Sequence, residues 1–203
     1  MTDKVNDHMQ RILMETVSAL ARAIEKRELY TVGHQQRVTQ LACAIARQME
    51  LSQDRVNAVE MAGAIHDVGK LNIPIEILSK PSQLSKMEFN LITSHPKDGY
   101  DIIRHIDFPW PIAEIVLQHH EKINGSGYPR KLSGGDIILE AKILVVADVI
   151  EAMTAHRPYR EALSIQEALE EIKHNQGILY DDKVVGACVR LFNEREFVFG
   201  ESI

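Results

Sequence analysis

The chain has 203 residues, 45% of them hydrophobic, which is enough for one full core and too little for two independent ones. Its formal net charge of −6 excludes broad binding to nucleic acid polymers or anionic membranes, which select basic surfaces, so any phosphate partner must meet local positive charge. Cys43 and Cys188 are too few for a disulfide scaffold, and the most apolar run, 137–153, is broken by Glu140, Lys142, Asp148 and Glu151, against membrane insertion.

The opening MTDKVNDHMQ is polar and lacks the apolar core of a secretion signal, so a reducing, cytoplasmic setting is expected. Leu13, Val17, Leu20 and Ile24 recur at three- and four-residue intervals and predict one buried face of a first helix over about 6–27, placed to continue an upstream linker. Val38, Leu41, Ala42 and Ile45 predict a second helix after Gly33, and Ser52 is positioned to cap a third that carries MAGAIHDVGK. Ser85-Lys-Met-Glu88 and Ser164-Ile-Gln-Glu167 match the capping box, in which serine and glutamate satisfy free amides at a helix start; helices follow from about Lys86 and Ile165. The glycine- and proline-rich stretches 71–83 and 123–136 read as ordered loops. With no alternating strand, repeat or low-complexity segment, the expected fold is an all-α, single helical domain over 1–203.

Of nine histidines, His34, His66, His95, His119 and His120 sit beside glycine, aspartate, proline or each other near predicted helix ends. His8, His105, His156 and His174 lack that setting. His66 and Asp67 are adjacent, so on a helix they diverge by about 100° and can approach one ion from neighbouring directions or bridge two. The bland alternative makes Asp67 and Lys70 an ordinary helix-surface pair. Asp148 lies in AKILVVADVIEAM, where a bare carboxylate is costly to desolvate and needs a cation, a helix N-terminus or an arginine. His119-His120, followed by Glu121, forms a third cluster of the kind that suits borderline metals. Five imidazoles and two carboxylates exceed one four-coordinate zinc and are the wrong type for an all-oxygen calcium or magnesium site. Two ions fit, and paired ions activate water for phosphoester hydrolysis.

The order of these pieces closely resembles the HD-GYP family over roughly Ala19 to Phe192: YTVGHQQRV with His34, HDVGK at 66–70, SHPKDGY with His95, HHEKINGSGYP at 119–129, VADVIEAM with Asp148, and RPYR at 157–160. The resemblance implies that His34, His66, Asp67 and Asp148 hold one divalent ion and His95, His119 and His120 the other, with Asp67 bridging; the metal would be iron or manganese. It implies hydrolysis of cyclic di-GMP to pGpG or GMP by metal-activated water, with Asp67 and Lys70 catalytic and Lys70, Arg157 and Arg160 meeting phosphate. Some members act instead on a cyclic GMP-AMP dinucleotide. The loop with Gly127, Tyr128 and Pro129 resembles the family signature. It docks diguanylate cyclase (GGDEF) domains, borders the active-site opening, or forms a rigid turn beneath the ligands. An upstream receiver or sensor domain is a further expected partner in bacterial signal transduction.

Some positions depart from the pattern. Tyr30 stands where some members place a glutamate tied to a third metal, and a phenol keeps its proton until about pH 10, so two metals are expected. Asn124 replaces a common aspartate, Ile138 a frequent proline and Lys142 a frequent arginine; the change at 124 is expected to weaken a contact behind the ligands. The competing readings are a cyclic-dinucleotide receptor with little turnover, an HD hydrolase of other nucleotides such as ppGpp, and a diiron oxygenase.

Overall fold

The computed structural model describes residues 2–27, 33–156, 161–195 and 197–200. Among them the backbone forms ten α-helices and two short 3-10 turns without a β-strand; Asn124–Ser133 and Gln176–Tyr180 are isolated bridges. The all-α expectation holds.

The first helix, α1 (Thr2–Glu25), starts a few residues earlier than predicted. Val17, Ala21 and Ile24 are buried, but Leu20, expected with them, is 61% exposed. At about 100° per residue the buried three share a narrow stripe, with the small Ala21 filling the position against the core and Leu20 just outside it. In α2 (His34–Gln48) the expected face of Val38, Leu41, Ala42 and Ile45 is completely buried. Ser52 precedes α3 (Gln53–Ile65) as expected, but its side chain makes no capping bond.

The segment 71–83 is less of a loop than expected, because it contains one helical turn, α4 (Ile75–Leu78). Both capping boxes form, at Ser85 before α5 (Lys86–Ile92) and at Ser164 before α9 (Ile165–His174). Between them lie α6 (His95–Ile103), α7 (Ile112–Gln118) and α8 (Leu139–Thr154); α10 (Asp182–Arg195) follows α9.

The centre of the bundle is α8, whose Ile143, Leu144, Val145, Val146, Ala147 and Ile150 are all buried. A helix apolar on nearly every side is stable only inside a protein. It packs against α2, α3, α7, α9 and α10, while α2 also packs against α3. Beside this body, α6 packs against α7 and against the 3-10 turn Val68–Asn72. Gly69 makes that second contact possible: a Cβ there would lie 2.0 Å from the His95 carbonyl oxygen and 2.4 Å from the Gly99 nitrogen. Both are backbone atoms with little room to move, so only glycine lets α6 come close enough to bring His95 beside Asp67.

Candidate metal centre

Three of the expected ligands are positioned by one device. His66 caps the C-terminus of α3, His119 caps that of α7, and His95 follows the end of α5. The last carbonyls of a helix have no partner within it. Each histidine satisfies one of them: Nδ1 of His66 donates to Gly63 O (2.7 Å), that of His95 to Ile92 O (2.7 Å) and that of His119 to Val116 O (2.6 Å). With the proton held on Nδ1, each ring presents the Nε2 lone pair inward.

His66 and Asp67 do not share a helix as the sequence suggested. The helix ends at Ile65 and Asp67 precedes the 3-10 turn, a break that frees the Gly63 carbonyl for His66. Asp67 is buried, and its two oxygens face different histidines. Oδ1 lies 3.2 Å from His95 Nε2 and 4.0 Å from His119 Nε2. Oδ2 lies 3.5 Å from His66 Nε2, 3.7 Å from His34 Nε2 and 2.7 Å from Lys70 Nζ. On the other side, Asp148 is 3.4 Å from His34 Nε2 and 3.8 Å from His120 Nδ1. All seven expected ligands therefore converge, and they fall into two compact sets, His34–His66–Asp148 and His95–His119–His120, with His66–Asp67–His119 spanning both. His105, His156 and His174 are exposed.

The donor set calls for cations. Nε2 of His66 is buried without a hydrogen-bond partner, and Nε2 of His95 and His119 are 3.1 Å apart although each ring already donates through Nδ1. Two lone pairs facing each other in a dry site need positive charge between or beside them. Burial, reinforced by His66 and His95, holds the His119 imidazole well below its ordinary pKa; burial with His119 and His95 does the same to His120. Neutral imidazole is the ligand form. Burial also opposes ionisation of Asp67, but the Lys70 ammonium 2.7 Å away is the foremost of the groups that outweigh it and keep the carboxyl well below the usual carboxylate range. These clusters could hold divalent metal ions.

Sequence reasoning gave no role to Glu151 or Arg37 and grouped Glu121 with the histidine pair. Glu151 accepts a short hydrogen bond from Nδ1 of His34 and is held by Arg37, whose Nε lies 2.8 Å from its second oxygen. It stands one turn after Asp148 in the same apolar helix, so the desolvation argument applied to Asp148 would have found it. Burial opposes a charge on His34, but Glu151, Asp148 and Asp67 together raise its pKa. Glu121, sequence neighbour of the histidine pair, turns away from them and accepts the backbone N–H groups of Arg130 (2.7 Å) and Leu132 (3.0 Å).

That clamp closes the loop containing Gly127, Tyr128 and Pro129 onto the histidine segment. A Cβ on Gly127 would meet Lys122 N at 2.4 Å and His120 O at 2.6 Å. The Tyr128 ring then lies 4.8 Å from that of His120, tilted by 35°, with its phenol pKa raised by burial and by Asp148 and Asp67. Asn124 is exposed and bonds Ser126 within the turn, so its side chain does not back the ligands as expected. The Ile138 N–H, which proline would lack, donates to Gln118, and Lys142 pairs with Asp181. Arg157, Arg160 and Tyr30 lie outside the described residues.

An HD domain family model matches residues 18–184. The chain is 40% identical over 189 residues to the cyclic di-GMP phosphodiesterase response regulator RpfG of Xanthomonas campestris, covering 92% of this chain and 50% of the relative. It is 38% identical to a cyclic di-GMP phosphodiesterase of Thermotoga maritima (90% and 50%) and 33% identical to 3'3'-cGAMP-specific phosphodiesterase 1 of Vibrio cholerae (80% and 38%). The chain thus spans about half the length, or less, of these curated relatives. Among solved structures, the fold matches a cyclic GMP-AMP specific phosphodiesterase of V. cholerae with a TM-score of 0.67 at 21% identity, covering 90% of this chain and 49% of that one. It also matches the PgpH HD domain of L. monocytogenes in complex with cyclic-di-AMP, with a TM-score of 0.62 at 20% identity (91% and 100%). The converging histidines and aspartates, the clamped loop and these matches place the chain in the HD domain family, among its HD-GYP members.

Proposed function

We propose that this chain is the catalytic domain, over 1–203, of a cyclic-dinucleotide phosphodiesterase that acts on cyclic di-GMP and yields pGpG, GMP or both. The observation that carries the reading is the division of Asp67 between two histidine sets, one at each carboxylate oxygen. In this proposal His34, His66, Asp67 and Asp148 hold one divalent ion and His95, His119 and His120 the other, with Asp67 common to both. Iron or manganese suits such a mixed nitrogen and oxygen donor set. When bound, a pair of ions supplies an acidified water and the positive charge that offsets a phosphodiester at its transition state.

The protein's own groups organise that chemistry. Asp67 stays ionised against burial because Lys70 stands 2.7 Å away. Lys70 also brings its charge to the rim of the cluster, where it can meet a phosphate oxygen, with Arg157 and Arg160 proposed alongside it. Glu151 and Arg37 fix the tautomer and direction of His34. Tyr128 packs its ring beside that of His120.

The relatives named as cyclic GMP-AMP enzymes make that dinucleotide the second substrate to test. An upstream receiver or sensor domain, and a diguanylate cyclase (GGDEF) partner meeting the 127–129 loop, belong to the same proposal. So does a cytoplasmic location; no helix among the described residues is long and apolar enough to cross a membrane. The test is incubation of anaerobically purified, manganese-loaded protein with cyclic di-GMP, cyclic GMP-AMP and ppGpp, followed by chromatography. Linear products from a cyclic dinucleotide are expected. Binding without product would instead make the domain a receptor, and consumption of ppGpp alone would refute the substrate class.

A further inference from the structure

A cavity of about 750 Å³ lies among α1, α2 and α3. Its lining includes Gly33 and Gln35, the neighbours of His34, but none of the seven proposed ligands. Cavities of roughly 300–1,000 Å³ are the size that takes small organic ligands.

The wall has unmet hydrogen-bonding capacity. Gln35 is only 5% exposed, yet its carboxamide oxygen has no donor, and the buried oxygen of Gln40 is in the same state. A buried acceptor without a donor is unfavourable, and two in one wall match a ligand that brings N–H groups, reached by rotation of the carboxamides. Positive charge sits in the same lining. Arg22 on α1, Lys26 just beyond its end and Arg47 on α2 all line the cavity. Of its two acids, Glu25 is already engaged by the backbone N–H groups of Gly33 (3.3 Å) and Gln35 (2.7 Å), leaving Glu60 against three cations.

We propose that this cavity is a second ligand site for a purine nucleotide, with Gln35 and Gln40 reading the base and Arg22, Lys26 and Arg47 meeting the phosphate. A glutamine carboxamide pairs with the N6 amine and N7 of adenine, so adenosine 5′-monophosphate is the appropriate probe. Because Glu25 grips the amides on both sides of His34, occupancy of the cavity is felt at the metal centre, and by linkage metal is felt at the cavity.

Calorimetric titration of adenosine 5′-monophosphate into the whole chain, stripped of metal by a chelator, tests the site without requiring turnover. One saturable site per chain is expected. The exposed-residue double variant R22E/R47E should weaken binding by roughly tenfold or more at an unchanged melting midpoint, and ribose 5-phosphate should bind roughly tenfold more weakly than the nucleotide. Manganese affinity should shift by roughly threefold or more when the nucleotide is saturating. No saturation up to about millimolar nucleotide, equal affinity in the double variant, or equal binding of ribose 5-phosphate would overturn the site. An unmoved manganese affinity would overturn the coupling.

Discussion

His66, His95 and His119 are each aimed by a backbone carbonyl three residues earlier, whereas His34 is aimed by Glu151, a side chain on another helix that Arg37 holds in turn. A carbonyl at a helix end cannot be removed without removing the helix, so those three proposed ligands stand or fall with the fold. A carboxylate can be replaced alone, so the His34 side of the centre is separable from folding and open to adjustment. Asp67 joins the two histidine sets, with Oδ1 toward His95 and Oδ2 toward both His66 and His34, so the set that contains His34 also holds one backbone-aimed histidine.

Substituting the joining residue gives the largest effect. Asp67→Asn should lose both ions by elemental analysis and bring cyclic di-GMP turnover to background, with helical circular dichroism retained. Retention of one ion at full occupancy would show that the two sides do not share this carboxylate. The backbone-aimed side is probed next through Gly69→Ala, whose Cβ would collide with the His95 carbonyl. A loss of about 3 kcal/mol is expected for overpacking at fixed backbone. For a chain of this size that lowers Tm by roughly 6–12 °C in a calorimetric scan. An unchanged Tm would mean that α6 can retreat and that the close approach is not required.

Glu151→Gln should leave the fold intact and weaken metal affinity by about 10–100-fold, the usual cost of losing a group that orients a ligand. Titration with manganese would measure it, and parental affinity would remove the distinction between the two sides. The smallest expected effect is reversible and comes from acid. The pKa of His34 is raised while those of His119 and His120 are held low, so His34 takes up its proton first as pH falls. Histidine NMR of the metal-free protein, followed as the pH falls, should therefore show His34 taking up its proton before His119 and His120. Protonation of His119 or His120 ahead of His34 would contradict that order.

The helical fold was legible because its signals are local and periodic. The α2 stripe and the capping boxes at Ser85 and Ser164 fall where their spacing puts them. Leu20 failed because a stripe one residue narrower is satisfied by Ala21, a choice made by the neighbouring helices and invisible in the repeat. The seven converging side chains were legible from residue type and from the family pattern, since histidines beside helix ends are conspicuous in a sequence. Their supports were less so. Glu151 carries a signal that a desolvation argument can reach, but Glu121 serves amides nine and eleven residues away, and the contacts of Gly69 and Gly127 exist only once distant backbone segments meet. The same holds for Glu25, whose grip on Gly33 and Gln35 depends on where α1 ends.

The proposed function requires Asp67 to serve two ions. Elemental analysis of the parent chain, purified without oxygen and assayed immediately, is its decisive test. Two divalent ions per chain are predicted. One ion per chain would contradict the shared carboxylate, and three would contradict the reading of Tyr30 as a residue that leaves no third site.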